Sequence, residues 1–221
     1  MSTIRRHFQV GKDWLKRKFI DLVRKGDRLQ TPLGILFHTL EAYRYLPPQI
    51  NALELFGMHG LWHTMDYCKK CRTLELYEID PVYASYAKRF IPNATVIRAD
   101  CIHSIKNNQL HRKQYNLIIS DNPMGAPYGQ GYYEHFDLFP DICTFLQHGI
   151  LIVNFIYRLE GAGISELHRN KRVIFYGTEQ PSIITAVKVY SEYFLSQGRT
   201  IADHLFIPKN DHIGYLAMVI R

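Results

Sequence analysis

Two short stretches carry residue types that can hold a nucleoside. Leu53-Glu54-Leu55-Phe56-Gly57-Met58-His59-Gly60 is an apolar run that breaks into a glycine-containing turn, with helix-compatible sequence behind it. Thirteen residues later, Thr73-Leu74-Glu75-Leu76-Tyr77-Glu78-Ile79-Asp80 is a second apolar run, ending in acid. A strand that ends in such a turn brings backbone N–H groups and a helix N-terminus up to a ligand. An acid at the tip of the neighbouring strand can accept hydrogen bonds from both hydroxyls of a ribose. Together they describe a nucleoside-binding crevice.

The pattern resembles the class I S-adenosylmethionine-dependent methyltransferases. Their first strand ends acid-x-Gly-x-Gly-x-Gly, or acid-x-Phe-x-Gly-x-Gly in many nucleic-acid members. Glu54, Phe56 and Gly60 fall on the second form, while Met58 stands where its middle glycine belongs and Gly57 is one place early. The resemblance continues through Glu78 and Asp100 to Asp121-Asn122-Pro123, closely over residues 50–156 and in outline beyond. It implies S-adenosylmethionine as cofactor. It also implies that Glu78 takes the ribose hydroxyls and that Asp100, with Cys101 beside it, bonds the adenine amine. Glu54 would order the glycine turn. Read as residues alone, Asp80 and Asp100 are equally good helix caps.

Ser120-Asp121-Asn122-Pro123-Met124-Gly125 resembles the Asn/Asp-Pro-Pro-aromatic motif of methyltransferases that modify amino groups, with Met124 in place of the second proline. There the side-chain oxygen and a backbone carbonyl accept hydrogen bonds from the target amine and align its lone pair with the methyl group. Tyr128, Tyr132 and Tyr133 follow closely and are expected to stack on a planar acceptor. The same loop, continued by Tyr133-Glu134-His135-Phe136, also resembles the aminopropyltransferases that make spermidine from decarboxylated S-adenosylmethionine. In that reading Asp121 orients or deprotonates the attacking amine. Those enzymes begin with a small β-domain, whereas this N-terminal part reads as helical. A third reading keeps the fold without the catalysis, as a nucleic-acid-binding module, and Met58 and the single proline fit such decay.

Other constellations carry less. Cys68-Lys69-Lys70-Cys71 is half of a zinc site, and no second Cys-x-x-Cys exists. No metal is expected. His59 and His63, at i and i+4, flank the turn and are expected to line the pocket or pack on the sheet. A phosphate-binding Gly-x-x-x-x-Gly-Lys-Ser/Thr loop is absent from the sequence.

The elements that must position these residues alternate. Helical patterns cover residues 10–25 and 33–45; Pro47-Pro48 then leads into a strand at 52–57. A helix at 61–70, a strand at 73–79, a helix at 81–90, a strand at 95–99 and a short helix at 101–110 follow. A buried strand at 115–120, a tyrosine-rich loop, a helix at 134–147 and an apolar strand at 149–156 continue the series. Arg158 to Pro181 reads as irregular, 182–197 as helical, and 200–207 with 213–220 as a hairpin across Pro208-Lys209-Asn210-Asp211-His212. This alternation predicts an α/β fold, a doubly wound Rossmann-like sheet. The resemblance implies seven strands with a C-terminal antiparallel hairpin. The boundaries are a basic helical N-terminal extension over 1–48 and a methyltransferase-like α/β domain over 49–221.

The chain of 221 residues is 47% hydrophobic and carries a net charge of +7. Residues 1–30 hold nine Lys/Arg against three acids, so nearly the whole excess lies there. A basic segment of this kind can attract phosphates on nucleic acid or anionic lipid. Trp14, Leu15, Phe19, Leu22 and Val23 form a helical stripe on it that is expected to dock on the core. No apolar run approaches a membrane span, the start lacks the apolar core of a secretory signal, and four cysteines without a framework favour a reducing compartment. The expectation is a cytoplasmic protein acting on nucleic acid or a small molecule.

Overall fold

Short apolar runs bounded by turn residues make the strands, and amphipathic stretches between them make the helices. The computed structural model describes residues 3–23, 31–61, 63–121, 133–139, 141–160 and 164–221, leaving aside the side chains of 19–23 and 147. The strands are β1 Ile50–Leu55, β2 Cys71–Tyr77, β3 Ala94–Ile97, β4 Tyr115–Ser120, β5 Leu146–Ile156, β6 Ile201–Pro208 and β7 Ile213–Ile220. They form one seven-stranded sheet in the order β3-β2-β1-β4-β5-β7-β6. β1 to β5 pair in parallel, and the β6–β7 hairpin adds antiparallel at β5. The helices are α1 Thr3–Val23, α2 Pro32–Ala42, α3 Thr64–Tyr67, α4 Pro81–Phe90, α5 Cys101–Lys106, α6 Glu166–Tyr176 and α7 Ile183–Leu195.

Both faces of the sheet are covered, which is why the central strands read as continuous apolar runs. Leu33, Leu36, Phe37 and Leu40 of α2 and Ala84 and Ala87 of α4 pack with Leu76, Leu117, Ile119 and Ile152 on one face. On the other, α5 and α7 pack with Leu53, Ile118 and Val153, joined by a dense aromatic group that includes Phe136, Phe139, Tyr176 and Tyr190. The helical α1 and α2 stand where the aminopropyltransferase resemblance implies a small β-domain.

Three expectations are corrected. The helix expected at 134–147 is instead two 3-10 turns, His135–Leu138 and Asp141–Phe145, and β5 begins directly at Leu146. Pro140 lies between the two turns and lacks the N–H that a continuous helix would use. The segment read as irregular holds α6. Its buried row is His168, Arg172 and Tyr176 at i, i+4 and i+8, while Leu167, Val173 and Ile174 face solvent. An inward row of polar residues gives no apolar period to read. The third concerns α1: Trp14 and Leu15 are 41% and 63% exposed, and the buried residues among the described side chains of that helix are Val10 and Asp13. Phe19, Leu22 and Val23 have side chains outside the described set. The helix does dock, through buried Val10 and a set of polar contacts. Arg6 pairs with Asp80 at 2.8 Å and Arg17 with Asp66 at 3.2 Å, and His7 meets the Tyr86 hydroxyl at 3.0 Å.

The Arg172 guanidinium, fully buried, holds α6 in place. It donates to Glu134, also fully buried in its side chain, to the Ile156 carbonyl at 2.9 Å and to the Glu179 carbonyl. His168 Nε2 lies 2.6 Å from the same Glu134 oxygen. Removing one partner of such a pair strands a charge without water. Arg172→Leu is therefore expected to cost about 3–5 kcal/mol in urea unfolding. Arg169→Leu, which breaks only the exposed pair with Glu179, is expected to cost less than about 1 kcal/mol.

Candidate active site

β1 ends at Leu55, and the chain turns through backbone conformations that favour glycine. Phe56, Met58 and Gly60 have φ of 64°, 46° and 72°. Gly57 is required for a different reason: a Cβ there would lie 2.3 Å from the buried Leu76 side chain of β2. Its N–H donates to the Tyr77 carbonyl at 3.1 Å, which staples the turn to β2. The Met58 N–H donates to Glu78 Oε2 at 2.8 Å, and the Asp80 N–H to Glu78 Oε1 at 2.7 Å. Glu78 thus ties the turn to the start of α4, where Asp80 accepts from the N–H groups of Val82 and Tyr83. Burial raises the Glu78 carboxyl pKa against the pull of these backbone donors.

Above β1 and β4 lies a cavity of about 240 Å³. Glu54, Phe56, Gly57, Met58, His59, Gly60, His63 and Thr64 line one side, and Asp121, Asn154, Lys209 and Ile213 the other. β1 and β4 are neighbours at which the strand order reverses, the place where doubly wound sheets bind ligands. Glu54 accepts from Thr64 Oγ1 at 2.8 Å and from the Tyr67 hydroxyl at 2.5 Å. Burial still pushes its carboxyl up to about 8, with Asp121 and Glu78 adding to the rise, so it holds a proton at neutral pH.

Asp121, at the end of β4, is the hub of the opposite wall. Its Oδ1 accepts from Asn154 Nδ2 at 3.0 Å and Lys209 Nζ at 3.1 Å. Its Oδ2 accepts from the Tyr215 hydroxyl at 3.0 Å and lies 3.2 Å from His63 Nε2. Burial lowers the His63 pKa, with Asp121 opposing, which keeps the imidazole neutral at pH 7. His59 faces the other way. The Leu61 N–H donates to its Nδ1, so the proton sits on Nε2, which donates to Asp13 of α1 at 3.0 Å. The two histidines of the i, i+4 pair therefore meet different partners, Asp121 and Asp13.

The residues expected from the sequence divide accordingly. Glu54, Phe56, Gly57, Gly60 and Asp121 line the cavity. Glu78 adjoins it through Met58. Asp100 caps α5 through Oδ1, accepting from Ile102 and His103 N–H groups, and Cys101 is buried beside it. Asn122, Pro123, Tyr128 and Tyr132 lie outside the described residues. Tyr133 is half-buried, its ring centroid 5.1 Å from that of His168 and 4.7 Å from Lys171 Nζ. Cys68 and Cys71 are free, half-buried thiols, the latter pushed up to about 12 by burial. The sequence reading missed Asn154, Lys209 and Tyr215. The signals for them are slight: one amide within the apolar run of β5, and one lysine in the hairpin turn.

No family model matches the sequence, and no curated protein matches it. Solved structures do share its fold. Magnesium protoporphyrin IX methyltransferase of Synechocystis PCC 6803 with bound SAH superposes with a TM-score of 0.54 at 14% identity, over 99% of this chain and 88% of that one. M. jannaschii TYW2 in complex with AdoMet gives 0.52 at 13%, over 87% and 77%. A TehB-like SAM-dependent methyltransferase from Corynebacterium glutamicum gives 0.51 at 13%, over 96% and 100%. The chain has the class I methyltransferase fold.

Three outcomes follow from this geometry. Gly57→Ala is expected to cost about 1–3 kcal/mol in urea unfolding, because Leu76 cannot retreat in a packed core. Met58→Gly, which relieves a left-handed backbone at an exposed side chain, is expected to be neutral or to stabilise by about 1 kcal/mol. The Glu54 carboxyl is raised on folding, so its contribution is complete below the unfolded value of 4.5 and is lost as pH rises through about 8. Glu54→Gln is expected to flatten that fall in urea midpoints measured across the window.

Proposed function

We propose that the protein transfers a methyl group from S-adenosylmethionine to a nitrogen or oxygen nucleophile held beside Asp121. The observation that carries this is the crevice at the β1–β4 switch point, with a tight turn and acid on one wall and a hydrogen-bonded aspartate on the other. The fold of solved methyltransferases supports it.

The donor set fits this cofactor. Each Glu78 oxygen takes one backbone N–H, which leaves lone pairs for a ribose diol. Asp100 Oδ2 takes no bond among the described residues and suits an adenine amine. Asn154 Oδ1, in the cavity wall, is buried without a partner among the described residues, an acceptor suited to an ammonium or amine N–H. Asp121, as a carboxylate, favours positive charge nearby. When bound, S-adenosylmethionine supplies an activated methyl group, and no metal is needed for its transfer. The chain's part is alignment and exclusion of water.

On the acceptor side, Asp121 is fixed by Lys209, Tyr215 and Asn154, so its carboxylate can orient an acceptor N–H or O–H without moving. The neutral His63 imidazole beside it can take up the proton that the nucleophile releases. The basic N-terminal helix lends little support to a nucleic-acid acceptor, because the centre of its outward face is apolar.

Titration calorimetry with S-adenosylmethionine, S-adenosylhomocysteine and decarboxylated S-adenosylmethionine tests the reading. The first two are expected to bind in the micromolar range, and Glu78→Ala to weaken them at least about ten-fold by removing the ribose contact, with the thermal midpoint as folding control. Absence of binding to folded protein overturns methyl transfer. Preference for the decarboxylated form moves the reading to aminopropyl transfer.

A further inference from the structure

We propose that the outward face of α1 seats the protein on an anionic lipid surface. The two faces of this helix do opposite things. The inward row of Arg6, Asp13 and Arg17 binds the domain through Asp80, His59 and Asp66. On the opposite side Ile4, Phe8 and Leu15, with Gly11 between, follow i, i+4, i+7 and i+11. Those three apolar side chains are 81%, 75% and 63% exposed, and no described residue covers them. A contiguous apolar row facing water differs from scattered surface residues and calls for a partner.

The charges beside the row define that partner. Arg5, Lys12 and Lys16, all exposed, repeat i, i+7 and i+11 one position along, so a line of cations runs beside the apolar line. Lys18 and the exposed Trp14 border the other side, with the ammonium 5.9 Å from the indole ring centroid. The helix holds six Lys/Arg against two Asp. An apolar row sunk at the headgroup boundary with cations level with the phosphates is the geometry of an interfacial helix. Nucleic acid would neutralise the cations but leave Ile4, Phe8 and Leu15 without an apolar contact. A second copy would cover the apolar row but set like charges against each other. No described helix is long and apolar enough to cross a membrane, so the association is peripheral. Through Asp13–His59 and Arg6–Asp80 it holds the turn after β1 roughly one helix diameter, about 10 Å, beneath the headgroups.

The test is cosedimentation of the full chain with phosphatidylcholine vesicles, with and without phosphatidylglycerol, beside the double variant Phe8→Ser/Leu15→Ser. Binding is expected to the anionic vesicles, at least about ten-fold weaker to phosphatidylcholine alone and at least about ten-fold weaker for the double variant. The thermal midpoint is expected to stay unchanged, since both side chains already face water. No binding of the unmodified chain, or equal binding of the variant, overturns the proposal. So does a concentration-dependent dimer that the variant abolishes, or binding to duplex RNA that the variant leaves intact, where vesicles are not bound.

Discussion

Carboxylates crowded at the ends of parallel strands, partly cut off from water, are the constraint on which the rest of this site depends. Glu54, Glu78 and Asp121 come from three different strand ends and are all largely buried. Three bare charges could not stay there together. Each is neutralised or solvated differently. Glu54 keeps a proton and takes two hydroxyl donors. Glu78 takes two backbone N–H groups. Asp121 takes a lysine, a tyrosine hydroxyl, an amide and a histidine contact. These donors lie on the glycine turn, α3, the start of α4, β5 and the hairpin, so satisfying the acids ties together both ends of the domain.

The same bonds preorganise the crevice. Met58 sits in a strained left-handed conformation, and the Glu78 bond to its N–H holds the turn there. Lys209 and Tyr215 reach Asp121 only because the hairpin enters the sheet antiparallel beside β5, which brings the β6–β7 turn to the end of the sheet where the parallel strands finish. Site residues anchored on strand ends keep their geometry better than residues on free loops. α1 adds a lid of a different kind. Its Asp13 lies on buried His59, so an N-terminal helix far from the strand motifs in sequence bears on the turn itself.

The glycine turn, the acid at 78 and the aspartate at 121 were legible because each is a local pattern: an apolar run, a break and an acid. The strands were legible for the same reason, as was α4, where Asp80-Pro81 marks the start. α6 was not. It buries histidine, arginine and tyrosine, because the partner facing them is the carboxylate of Glu134 and not an apolar surface. The outward position of Trp14 and Leu15 on α1 has the same origin: the core-side neighbours Asp66, Asp80 and His59 select the row of Arg6, Asp13 and Arg17.

By itself the sequence determined which segments become strands, where the chain turns sharply, and which acids stand at strand ends. Backbone preference and hydrophobic period are short-range properties, readable a few residues at a time. Only the tertiary structure decided that Asn154, Lys209, Tyr215 and His63 converge on Asp121, that Glu54 holds a proton, and that α1 turns its apolar row to solvent. Those outcomes follow from which donors lie within about 3 Å of a buried acid, and the partners that decide them come from as far as 94 positions along the chain.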